Sequence, residues 1–131
     1  MRLLVCGSRD WSNRRFLYQF LDEYHAQHPV TVLVEGEAAG ADTMSREWAE
    51  SKGIVVEKYP ADWTKYGKAA GPIRNSQMLQ EGKPEAVIAF SLNLETSRGT
   101  KNMVAQAIKA GVPTIDAVSL ITELKRKSLL N

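Results

Sequence analysis

Material for disulfides, metal centres and membrane spans is what this sequence has least of. A single cysteine, Cys6, leaves no partner for an internal bridge and fits a reducing compartment, so a cytoplasmic protein is expected. Cys6 closes a short apolar run, where packing rather than nucleophilic chemistry is the expected role. Only two histidines are present, His25 and His28, close together at one helix end with no further ligand set, so no metal site is expected. No apolar stretch approaches the roughly 20 residues that cross a bilayer. Met1-Arg2 is followed by only four apolar residues, Leu3-Leu4-Val5-Cys6, so no secretory leader is expected either. Charge of one sign is also scarce. A net charge of +2 with scattered basic residues makes a nucleic-acid partner an unfavoured expectation. Neither a P-loop nor a GxGxxG occurs, which removes the main support for standard ATPase or dinucleotide readings. No cofactor is expected.

What is present is an alternation. Arg2–Cys6 reads as a buried strand ended by Gly7. Ser12 or Asn13 can cap the next helix, which places Phe16, Leu17, Phe20, Leu21 and Tyr24 on one face and stops before Pro29. Val30–Val34 is the second strand. A helix from Ala41 carries Ala41, Met44, Trp48 and Ala49 inward and ends at Gly53. Ile54–Tyr59 is the third strand. A long irregular connection, 60–72, leads to a helix over Ile73–Leu79 and the strand Ala86–Phe90. Thr100 is expected to cap a helix that buries Met103, Val104, Ala107 and Ile108. Val112–Ile115 and a helix over Val118–Lys127 finish the chain. Strands and helices alternating in this way predict an α/β fold: a Rossmann-like, doubly wound, mainly parallel five-stranded sheet. The strand order should reverse between the first and fourth strands, and ligands of such sheets bind beyond the carboxyl ends at that point.

Three strand-to-helix loops then converge on one edge. They are Gly7-Ser8-Arg9, Gly36 with Gly40-Ala41-Asp42, and Arg98-Gly99-Thr100. Glycine there lets backbone approach a ligand, hydroxyls come from Ser8 and Thr100, and Arg9, Arg74 and Arg98 carry forked charge suited to phosphate. A helix opening at the third loop would add free N–H groups and the positive dipole end. Each loop by itself reads as a turn with a cap; the three together favour a nucleotide-type pocket. Asp42 reads equally as a first-turn carboxylate and as an acceptor of ribose hydroxyls. Among Trp11, Trp63 and Tyr66, at least one Trp is expected to pack, while an aromatic on a loop by the pocket can stack on a base.

The block Pro60-Ala61-Asp62-Trp63 through Tyr66-Gly67-Lys68-Ala69-Ala70-Gly71-Pro72-Ile73-Arg74-Asn75, with Gly7-Ser8-Arg9, Gly40-Ala41-Asp42 and Arg98-Gly99-Thr100, resembles the YspA-related branch of the SLOG superfamily. The resemblance runs to about the start of the last helix and implies one domain, 1–131, that binds a nucleotide or nucleotide-derived small molecule. The three loops and the resemblance together make Gly7, Ser8, Arg9, Gly36, Gly40, Asp42, Arg74, Asn75, Arg98, Gly99 and Thr100 the candidate ligand-binding residues. Relatives that pair through flanking helices imply a homo-oligomer. The superfamily's phosphoribohydrolases carry an Arg in a helix before the fourth strand, similar to Arg74, and then Pro-Gly-Gly-x-Gly-Thr-x-x-Glu. Gly99 and Thr100 match that signature, but its Glu falls on Met103, so binding without turnover is the leading expectation. Hydrolysis of an N-glycosidic or phosphate bond, with Glu35, Glu37 or Glu95 as the carboxylate, stands as an alternative. Single-stranded nucleic-acid binding, by analogy with the superfamily's DNA-processing protein, is another.

Overall fold

The computed structural model describes residues 1–130, apart from the side chain of Leu130. In chain order it runs β1 (Arg2–Gly7), α1 (Arg14–Gln27), β2 (Val32–Glu35), α2 (Ala41–Ser51), β3 (Val55–Lys58), α3 (Trp63–Tyr66), α4 (Ala70–Gln80), β4 (Ala86–Phe90), α5 (Arg98–Lys109), β5 (Thr114–Asp116) and α6 (Ala117–Leu130). Short 3₁₀ turns at Gly67–Ala69 and Leu94–Thr96 join α3 to α4 and β4 to α5. The sheet has five strands in the order β3-β2-β1-β4-β5. All four pairings are parallel, with Leu4 opposite both Val34 and Val87. The chain starts in the middle, winds outward through β2 and β3, and returns to lay β4 on the other side of β1. The order therefore reverses between β1 and β4, where the sequence placed it.

A period of two along the strands divides the interior into two layers. Leu3 and Val5 of β1, with Ile88 and Phe90 of β4, face a core shared with Leu17, Leu21 and Trp48. Leu4 and Cys6, with Val87 and Ala89, face Met78 of α4 and Met103 and Ala107 of α5. Both faces are covered, which is why β1 and β4 read as unbroken apolar runs rather than alternating ones. Cys6 is buried in the second layer, and burial pushes its thiol pKa far above the ordinary value. That suits a packing residue.

Local chemistry fixes the helix ends. Asn13 caps α1, its Oδ1 accepting the Phe16 N–H at 3.0 Å. Asp62 does the same for α3, accepting from Lys65 N–H at 3.0 Å. Three expectations change here. The connection 60–72 is largely helical, and α4 begins at Ala70 rather than Ile73, because Pro72 falls in the first turn where no N–H partner is lost. The fifth helix begins at Arg98 with Ser97 as its N-cap, so Thr100 sits inside the first turn instead of capping it. Ile108 is 63% exposed, because the inward stripe of α5 runs through Thr100, Met103 and Ala107 and has turned past Ile108.

Candidate functional site

Past the carboxyl ends of β1 and β4 the loops enclose a cleft of about 1220 Å³. It is larger than the roughly 300–1,000 Å³ usual for small-molecule sites. Its walls come from the β1–α1 loop, the first turn of α2, α3 and α4, the β4–α5 loop and the start of α5. Of the candidate residues, Gly7, Ser8, Arg9, Asp42, Arg74, Asn75, Arg98, Gly99 and Thr100 line it. Gly36 and Gly40 do not.

These two glycines serve the protein's own packing. A Cβ on Gly36 would lie 2.4 Å from Nη1 of Arg74. One on Gly40 would lie 2.4 Å from the Ser8 carbonyl oxygen and 2.5 Å from that of Arg9, at a residue whose φ is already +71°. Gly7 is confined in the same way, by Phe90 O at 2.3 Å and Ala41 Cβ at 2.5 Å. Ala41 N–H donates to Ser8 O at 3.3 Å, so the first two loops are laced together.

Arg74 and Asp42 form the buried floor. Arg74 Nη1 donates to the Gly36 carbonyl, and its Nε donates to Asn75 Oδ1 at 3.0 Å. Asn75 Nδ2 donates in turn to Gly99 O at 3.2 Å and to Asn102 Oδ1 at 3.0 Å, which ties α4 to the start of α5. Burial pulls the Arg74 guanidinium below its ordinary pKa, and the Asp42 charge offsets part of that. Asp42 Oδ2 accepts the Gly36 and Ala38 N–H groups, each at 3.2 Å. Burial pushes this carboxyl up to about 6 against those donors and the Arg74 charge. Asp42 thus holds the second loop closed from the first turn of α2, a task neither sequence reading of it included.

Toward the mouth the side chains are less engaged. Among the described residues, Arg9 and Arg98 make no ion pair, and the hydroxyls of Ser8 and Ser91 find no partner. Ser97 Oγ donates to Thr100 Oγ1 at 2.8 Å. Around Gly99 a Cβ would meet nothing within 4 Å, so the backbone of the first α5 turn is open to approach. Met103 is buried on the inner wall, as its helical spacing predicted. None of Glu35, Glu37 and Glu95 lines the cleft. Glu35 is fully buried at the end of β2, Glu37 points to solvent, and Glu95 pairs with Lys101 at 2.7 Å. Sequence reasoning did not single out Ser91, Asn93 or Asn102 among the polar lining. Polar residues in a loop after a strand, as Ser91 and Asn93 are, or within a helix, as Asn102 is, carry no signal that separates lining from solvent-facing positions.

A parallel sheet whose order reverses beside a cleft lined by cationic and hydroxyl groups defines the Rossmann-like class of α/β proteins. Within that class the chain belongs to the YspA, cpYpsA-related SLOG family, whose family model matches residues 1–66. It is also similar to the gene 61 protein of Mycobacterium phage D29, at 36% identity over 121 residues, covering 88% of this chain and 94% of that protein. No solved structure matches it. The family match covers the first two loops and α3 and ends before α4 and α5. Among the described residues no helix is long and apolar enough to cross a membrane.

Proposed function

We propose that the cleft binds a nucleotide or nucleotide-derived small molecule, with its phosphate at the first turn of α5. The observation that carries this reading is the pair of arginines without carboxylate partners, Arg9 and Arg98, in the cleft that the open backbone at Gly99 also lines. Four cationic side chains line the cleft (Arg9, Lys68, Arg74, Arg98) against the two carboxylates Asp10 and Asp42. Unpaired cations in a concave site raise the local concentration of anions. The helix start adds N–H groups aimed at the same ligand atoms, and Ser8 and Ser91 supply hydroxyls suited to phosphate or sugar oxygens. Family membership supports nucleotide-related ligands in general.

The expected result is measurable heat on titrating the intact protein with at least one of AMP, ADP-ribose or a cyclic nucleotide. The double variant Arg9→Ala/Arg98→Ala should lose roughly tenfold or more in affinity, as expected for removing charge-assisted bonds. Absence of binding across that panel would sink the reading.

A further inference from the structure

The three tryptophans are treated differently by the fold. Trp11 is 6% exposed, stands against Phe16 and Phe90 with ring centroids 5.8 and 5.7 Å away, and donates its indole N–H to Asn13 O at 3.1 Å. Trp48 is fully buried, and its N–H reaches Asp22 Oδ1 at 2.8 Å. Trp63 lines the cleft, is 48% exposed, and its N–H has no acceptor among the described residues. An indole held half in solvent contributes little to the core. The fold nevertheless orients it. Asp62 caps the short helix that carries it, and a Cβ placed on Gly71 of α4 would come 3.4 Å from its Cη2. The guanidinium carbon of Arg9 stands 5.3 Å from the Trp63 ring centroid, from the opposite loop.

We propose that Trp63 forms the base-binding subsite of the cleft, taking the planar nucleobase of the ligand on the indole face that the Arg9 guanidinium now covers. This rests on the nucleotide reading above and adds where the base goes. A flat cation already lies over the ring, so the geometry suits a second flat group there. An exposed guanidinium–indole contact is weaker than base–indole stacking, and no ion pair holds Arg9 in place, so a base can displace it. The phosphate end at α5 and the base end at Trp63 are then different walls of one cleft, joined across the floor of Arg74 and Asn75. Stacking has little preference among bases, so selectivity at this end should be modest.

The test titrates the intact wild-type protein, Trp63→Ala and Trp63→Phe with AMP, GMP, CMP, UMP, ADP-ribose and ribose 5-phosphate. Thermal midpoints should stay level across the variants. Trp63→Ala should weaken the base-containing probes roughly tenfold or more, the scale of one base stacked on an aromatic ring. Trp63→Phe should restore most of that, and ribose 5-phosphate should not distinguish the three proteins. Unchanged nucleotide affinity in Trp63→Ala would overturn the subsite and leave the nucleotide reading standing. An equal loss for ribose 5-phosphate would also overturn it, since the damage would not concern the base. A wild-type protein that binds none of the probes would remove both proposals together.

Discussion

Around Gly36 and Gly40 an added methyl group would meet the Arg74 guanidinium or protein carbonyls, whereas around Gly99 it would meet nothing within 4 Å. The loop after β2 is filled by its own neighbours: Arg74 lies over it, Asp42 holds its N–H groups, and the Ser8 and Arg9 carbonyls press on Gly40. The start of α5 and the Trp63 wall leave their glycine, arginines and indole toward the cleft. In sequence the two regions show the same signature, glycine beside charge at a strand-to-helix turn. The difference shows that a glycine-rich loop can be spent on rigidity in one place and on access in another, and only the packing decides which.

Gly40→Ala is the sharpest way to break that contrast. The substitution combines a positive φ with contacts at 2.4 and 2.5 Å to backbone oxygens that cannot swing away. Strain and overpacking together should cost about 3 kcal/mol or more. Urea denaturation of the variant measures this. A loss below 1 kcal/mol would mean that the β2 side is no more tightly packed than the α5 side.

How much of this was legible follows from the same residues. Strand order and the reversal at β1 and β4 were readable because apolar runs of four to six residues alternate with amphipathic helices, and the topology rules leave few arrangements. The convergence of the loops followed from that order. The use of each glycine was not readable, since a turn that needs φ above zero and a turn that admits a ligand select the same residue. Asp10-Trp11 and Asp62-Trp63 are the same dipeptide a few residues after a strand, yet one indole is buried against Phe90 and the other stands half exposed. Ser97 and Thr100 are both good caps, and only the backbone shows that Ser97 takes the position. The burial of Glu35 has no signature at all, because a carboxylate closing a strand ordinarily faces water.

Glu35 supplies the next prediction, on the closed side. Its Oε2 accepts the Glu37 N–H at 2.6 Å while its Oε1 is buried without a partner. Burial pushes its pKa up to about 7 from an ordinary 4.5. Between those values the folded chain keeps a proton that the unfolded chain has released. The resulting stability is fully present below about pH 4.5 and is lost as pH rises through about 7. Asp42, raised from 3.8 to about 6, acts in the same direction over a lower window. Glu35→Gln should flatten the fall by on the order of 1–3 kcal/mol, read as denaturation midpoints in a pH series. A variant that keeps the full wild-type slope would show that Glu35 is not the group responsible.

The smallest expected effect is on the open side, at Gly99. As the second residue of α5 it is helical, so alanine there removes freedom from the unfolded chain without a clash in the folded one. Gly99→Ala should therefore be stabilising by about 0.5 kcal/mol, the opposite sign to Gly40→Ala. Gly99 lines the cleft, at the helix start whose N–H groups would meet an anion. Affinity for AMP or inorganic phosphate should fall although the protein is more stable. This split between the two readouts is what a residue kept for access predicts, because a glycine needed by the fold would lose stability along with binding. A Gly99→Ala protein that is destabilised by 1 kcal/mol or more would place Gly99 with Gly36 and Gly40. One that gains stability and binds AMP as tightly as the wild type would show that the ligand does not approach the first turn of α5.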